Sequence, residues 1–124
     1  LKWVAHICIA VAATLVSAGF AAGETKLIMF DEAGCYWCET WKEEIGPIYP
    51  KTAEGRRAPL EVVSVHDSLP EGIHLQRGVA YTPTFVLIDE GKEVSRIEGY
   101  PGEDFFWGLL ERMLTDITPE KKRS

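Results

Sequence analysis

Two cysteines three residues apart, in Gly34-Cys35-Tyr36-Trp37-Cys38, stand between an apolar run at 26–30 and a helical-looking stretch at 39–45. This pattern constrains the fold more than any other, because it reads as a strand, a short loop and a helix whose first turn carries both thiols. Positions i and i+3 of a helix share one face, so the two sulfurs can close a small disulfide ring or reopen it with little backbone movement. A structural staple gains stability by closing a long loop, which so short a ring does not do. The pair therefore reads as redox-active.

Position assigns the roles. Unpaired N–H groups and the dipole at a helix N-terminus favour a thiolate and lower the thiol pKa below its free value of about 8.5. Cys35 is expected to be the nucleophile. Cys38, one turn inside, is expected to resolve the mixed disulfide that Cys35 forms with a substrate.

The first residues read as a secretory leader: Lys2, then an apolar stretch over 3–22 broken only by His6, Thr14 and Ser17. Small residues at Gly19 and Ala21 place the cut after Ala21, with Ala22 or Gly23 as alternative last residues. An uncleaved membrane anchor is the other reading of the same run. Export implies a periplasmic chain with a domain over 22–117 and a flexible tail over 118–124. Cys8 belongs to the leader and would leave with it, so the mature chain keeps only the Cys35–Cys38 pair. The formal charge of −6 argues against nucleic acid as a partner, and loss of Lys2 makes it one unit more acidic. The only basic cluster, Lys121-Lys122-Arg123, lies in the tail.

Beyond the cysteines, Trp41, Ile45, Ile48 and Tyr49 recur at helical spacing, with Trp41 expected in the core. Gly46-Pro47 should kink this helix, and Pro50 followed by Gly55 should end it. A β-branched strand over 61–65 follows and runs into His66 and Asp67. A right-handed crossover would make it parallel to the first strand and bring His66 and Asp67 to the cysteine end, as a polar turn. Residues 72–78 form a short helix at best. Two histidines and two cysteines match no closed metal site, so no metal is assigned, and dithiol exchange needs no cofactor. Pro83 must sit at the entry of a strand over 84–88, because proline cannot donate to a sheet ladder. Glu90-Gly91 then turns the chain into an antiparallel strand over 94–97. A last helix over 103–115 carries Phe105, Phe106, Leu109, Leu110, Met113 and Leu114 on one broad face behind Glu103 and Asp104.

With Cys-Tyr-Trp-Cys after the first strand and Thr82-Pro83-Thr84 before the third, the chain resembles the thioredoxin-fold family. The resemblance implies an α/β minimal thioredoxin fold, β-α-β-α-β-β-α, with a mixed four-stranded sheet flanked by helices. It further implies a cis Thr82-Pro83 bond lying against the cysteine pair, a Thr82 backbone that pairs with an extended substrate, and specificity in Tyr36, Trp37 and Pro83. The run over 41–60, with Ile45-Gly46-Pro47-Ile48-Tyr49-Pro50-Lys51-Thr52, is similar to the periplasmic thioredoxin-like proteins of bacterial sulfur-oxidation (Sox) systems. That likeness implies a reductase of a partner-protein cysteine, such as the sulfur carrier of that pathway, fed by a membrane thiol transporter.

Two departures stand out. Met29 occupies the place, six residues before the first cysteine, where thioredoxins keep a buried carboxylate, leaving Asp31, Glu32 and water as candidate proton acceptors for Cys38, although Asp31 and Glu32 read first as a solvated loop. The strand and helix that precede the active-site strand in full thioredoxins are not evident between the leader and Lys26, which should bare one sheet edge for a partner. The function expected is an exported thiol:disulfide oxidoreductase acting as a reductant. A disulfide-forming oxidase or isomerase is the alternative within the enzymes. A non-catalytic metal-binding or redox-sensing module, and a tethered docking domain with a structural disulfide, are alternatives of other classes.

Overall fold

A computed structural model describes residues 24–117. The leader assigned to 1–21, with Cys8, and the tail at 118–124 lie outside the described residues. Four strands form one mixed sheet in the order β2-β1-β3-β4: β1 (Thr25–Asp31), β2 (Leu60–Ser64), β3 (Thr84–Asp89) and β4 (Lys92–Glu98). β1 runs parallel to β2, with Phe30 opposite Val63, and antiparallel to β3, with Phe30 opposite Thr84. β3 and β4 form the expected hairpin, turned by Glu90 at φ 53° and Gly91 at φ 78°. Positive φ at both central residues matches the right-handed twist of the flanking strands.

Alternation along the strands separates two cores. Leu27, Met29, Phe85 and Leu87 face α1 (Tyr36–Glu44), α2 (Ala53–Arg57) and α3 (Glu103–Thr115). Trp41 is buried there as expected, its ring 5.0 Å from Phe85 and 5.5 Å from Phe106. Fully burying such side chains contributes roughly 1.5–3 kcal/mol each, which ties α1 and α3 to the sheet. The opposite face, with Ile28, Phe30, Val63, Val86 and Ile88, is covered by Val65, Ile73, Leu75 and Val79.

The helices depart from the expected pattern in three places. α1 does not kink at Gly46-Pro47 but stops at Glu44, with the N–H groups of Ile45 and Gly46 both turning to the Trp41 carbonyl. Pro47 has no N–H to continue the ladder. A side chain on Gly46 would meet the Lys42 carbonyl at 2.4 Å, so the turn needs glycine. Gly55 does not end a helix either. It lies inside α2, which Thr52 caps by accepting the Gly55 N–H at 2.9 Å. The short helix expected over 72–78 does not form. His74 instead bridges to Lys92 beside β4, donating its N–H to the Gly91 carbonyl at 2.8 Å and accepting from Glu93 at 3.0 Å.

Arg96 and Glu93 clamp the same stretch. Arg96 Nε donates to Glu93 at 2.8 Å, while its Nη groups donate to the carbonyls of Arg77 at 2.8 Å and Gly78 at 3.1 Å. The Gln76 N–H donates to the other Glu93 oxygen at 3.2 Å. On α3, Phe106, Leu110, Met113 and Leu114 are buried, whereas Phe105 and Leu109 point to solvent. The apolar face is therefore narrower than its sequence suggested.

Candidate functional site

β1 delivers the chain to the top of the sheet, where Glu32 and Gly34 make the turn into α1. The Cys35 N–H donates to the Glu32 carbonyl at 3.1 Å, and Gly34 holds φ 82°, a conformation that favours glycine. Cys35 caps α1, its sulfur accepting the Cys38 N–H at 3.1 Å, and a disulfide joins it to Cys38 across a Cα separation of 5.3 Å. Cys35 is partly exposed, while Cys38 is fully buried in the cluster that holds Met29 and Trp41. The two sulfurs thus differ in access to a partner: one faces the surface and the other lies behind it.

Tyr36 and Trp37 are exposed and meet edge to face at 5.0 Å. Thr84 stands opposite Phe30, so Pro83 enters β3 at the sheet end from which the cysteine loop leaves β1. The Thr82-Pro83 peptide is cis, with Pro83 buried and Thr82 half-buried. The Gly99 N–H fixes the Pro83 carbonyl at 2.7 Å, and Thr84 Oγ1 donates to Tyr81 at 2.6 Å. Tyr81 itself, 63% exposed, adds a third aromatic surface beside this loop. The sequence reading passed over it, although a large aromatic two residues before such a proline is a visible signal.

The polar groups near the cysteines are paired. His66 reaches the loop as expected, its Nε2 lying 2.8 Å from the Glu32 carboxylate on the exposed rim. Asp67 lies exposed in the same turn. Asp31 is not a solvated loop residue. It ends β1, and Lys42 Nζ donates to it at 2.6 Å and to Glu39 at 3.2 Å. The hydrogen bond to Asp31 above all holds the Lys42 ammonium pKa above its usual 10.5. Further along α1, Glu44 accepts from the Tyr100 hydroxyl; burial first, and that bond second, push the Tyr100 pKa upward. Among the described residues no three His, Cys, Asp or Glu side chains gather to hold a metal, and no helix is long and apolar enough to cross a membrane.

A Cys-x-x-Cys disulfide at the start of a helix, beside a cis-proline strand on a four-stranded sheet, defines a thiol-disulfide oxidoreductase of thioredoxin-like fold. A family model described as a thioredoxin-like domain matches residues 18–114, and the chain belongs to that family. Among solved structures it is similar to the reduced form of periplasmic thioredoxin SoxS from Paracoccus pantotrophus, with 48% identity and a TM-score of 0.75. That match covers 77% of this chain and 100% of the Paracoccus protein. Fasciola hepatica thioredoxin is 23% identical at a TM-score of 0.53, covering 73% of this chain and 82% of its own. A thioredoxin-fold protein from Helicobacter pylori is 21% identical at 0.56, covering 72% and 68%. These last two show the fold alone. A search of curated proteins gave no match.

Proposed function

We propose that this chain is an exported, periplasmic reductant of protein disulfides, of the kind that serves sulfur-oxidation systems. The observation that supports this reading most is the 48% identity to a periplasmic thioredoxin SoxS over the whole of that protein. In the proposed cycle the Cys35 thiolate attacks a partner disulfide, forming one S–S bond and expelling one partner sulfur. Cys38, as thiolate, then attacks Cys35, closing the protein's own disulfide and releasing the second partner sulfur. Two electrons pass to the partner and two protons follow to its thiols. Tyr36, Trp37, Thr82 and Pro83 form the binding surface: the aromatic rings supply apolar contact and the Thr82 backbone pairs with an extended segment. The partner is a protein carrying a reactive cysteine, such as a sulfur carrier, and a membrane thiol transporter restores the dithiol.

The reduction potential tests the direction. Equilibration with glutathione or dithiothreitol buffers, read by alkylation, should give a value near that of thioredoxin, about −270 mV; one near −120 mV marks an oxidase instead. Cys38→Ser should trap mixed disulfides through Cys35 in periplasmic extracts.

A further inference from the structure

The turn that carries Cys35 holds a carboxylate of its own. Glu32 and Cys35 are the first and last residues of a β-turn, closed by the Cys35 N–H donating to the Glu32 carbonyl at 3.1 Å, with Gly34 in third place at φ 82°. The α-carbons at the ends of such a turn lie within about 7 Å of one another. A negative charge at that range opposes a second one on the Cys35 sulfur, and the thiolate is the form in which that sulfur attacks. The N-terminus of α1, which Cys35 caps, favours the thiolate, and Glu32 works against it.

His66 meets that charge from the neighbouring strand. Val65 donates its N–H to the Asp31 carbonyl at 2.9 Å, which brings the chain leaving β2 level with the chain leaving β1. The His66 N–H is fixed on Ser64 Oγ at 3.2 Å, and the ring Nε2 lies 2.8 Å from Glu32 Oε1. An ionised carboxylate only accepts, so Nε2 carries the proton of this bond. Because β2 and β3 flank β1 on opposite sides, the carboxylate is held on the side of the turn away from Pro83. The other charges around the turn have their own places. Asp31 and Glu39 share Lys42, Glu98 at the end of β4 is bridged by Arg77, and Asp67 is exposed beside His66. Thr82 and Pro83, at the entry of β3, carry no charge.

We propose that His66 is a positioning residue for the exchange reaction, acting through Glu32: it screens and tethers the carboxylate that opposes the Cys35 thiolate. Donation from the imidazole disperses the negative charge and ties it to the β2 rim, while the Glu32 carbonyl keeps its hold on the Cys35 N–H. Without the imidazole the Glu32 side chain is free to swing over the turn, and its charge bears on the sulfur unscreened. The inference rests on the reading of Cys35 as the attacking thiol and deepens it. It needs neither the partner nor the direction of electron flow proposed above.

Alkylation of the reduced protein by iodoacetamide, an uncharged reagent, reports the Cys35 thiolate as pH is varied, since Cys38 is fully buried. His66→Ala should slow alkylation about two- to fivefold near neutral pH and move its pH profile to the alkaline side, the size of effect an exposed charge produces. His66→Gln, which keeps a neutral N–H donor, should recover most of the rate. In a Glu32→Gln background there is no charge to screen, so His66→Ala should slow the reaction by less than about 1.5-fold. Slowing by the same factor in both backgrounds, or slowing with an unshifted profile, marks His66 as a mere support of the turn and overturns the proposal. So does a His66→Ala protein whose profile coincides with that of the parent. No disulfide partner takes part, so failure here is distinct from failure of the proposed physiological role. The pair is exposed and contributes little to stability, so the variants should fold, and circular dichroism checks that they do.

Discussion

Replacement of Arg96 by methionine should destabilise the protein far more than a surface charge deletion would. The side chains of Arg96 and Glu93 are 5% and 1% exposed, and the guanidinium donates to the carboxylate and to two loop carbonyls. Methionine fills most of the volume but leaves the Glu93 carboxylate without the guanidinium, accepting from the Gln76 N–H. Breaking a buried pair by removing one partner costs about 3–5 kcal/mol, because the surviving charge stays sealed from water. For a domain of this size each kcal/mol lowers Tm by about 4–8 °C, so the loss should be at least about 12 °C. Urea unfolding followed by tryptophan fluorescence measures it, with an unchanged slope showing that the folded and unfolded ensembles keep their compactness. The double variant Arg96→Met with Glu93→Leu should recover part of the loss, since no orphan charge remains. A single variant within about 1 kcal/mol of the parent, at unchanged slope, would refute the argument that a sealed ion pair holds this loop.

Further outcomes are expected at two glycines and at high pH. Gly55→Ala should destabilise by about 1–3 kcal/mol, because its new methyl would lie 1.8 Å from the Tyr49 carbonyl, a backbone atom that cannot yield. Gly108→Ala on α3, with open space around it, should stabilise by about 0.5–1 kcal/mol in the same urea unfolding. Alkaline pH should weaken the fold: burial raises the hydroxyl pKa values of Tyr49 and Tyr100 above 10.0, and pairing with Asp31 raises that of Lys42. Each raised value means a proton held more tightly when folded, so stability is complete below about pH 10 and declines as pH climbs through the folded values. Tyr49→Phe should flatten that decline in urea titrations, at the expense of the bond from its hydroxyl to the Ala58 carbonyl at 2.6 Å.

The strands and the cysteine pair were legible because each depends on a local pattern. The apolar run before Cys35, the turn at Glu90-Gly91 and the proline at the head of β3 specify backbone shape within a few residues. Helix endings were less legible, since Gly46-Pro47 permits either a kink or a stop, and packing decides between them. Tyr49 goes into the core, buried against Trp41, and the chain must turn sharply to put it there. Gly55 read as a terminator because glycine usually is one. Its real constraint is the Tyr49 carbonyl, a contact made only after folding. Asp31 read as loop for a similar reason: what removes it from solvent is Lys42, eleven residues away on another element. Phe105 and Leu109 show the opposite error, apolar residues that widen a predicted face but remain exposed.

The stretch between β2 and β3 is secured by one bridge, the hydrogen bonds of the Arg96–Glu93 clamp, surface pairs such as Arg77 with Glu98, and a few apolar contacts, while the other face of the sheet carries three helices. Amide exchange should therefore be uneven, with protons over 66–82 escaping through openings that leave β1 and β3 intact. Because the stretch ends at Pro83, the cysteine pair lies between a wall that stays shut and one that breathes. A partner segment laid along Thr82 would then slow exchange in residues it never touches.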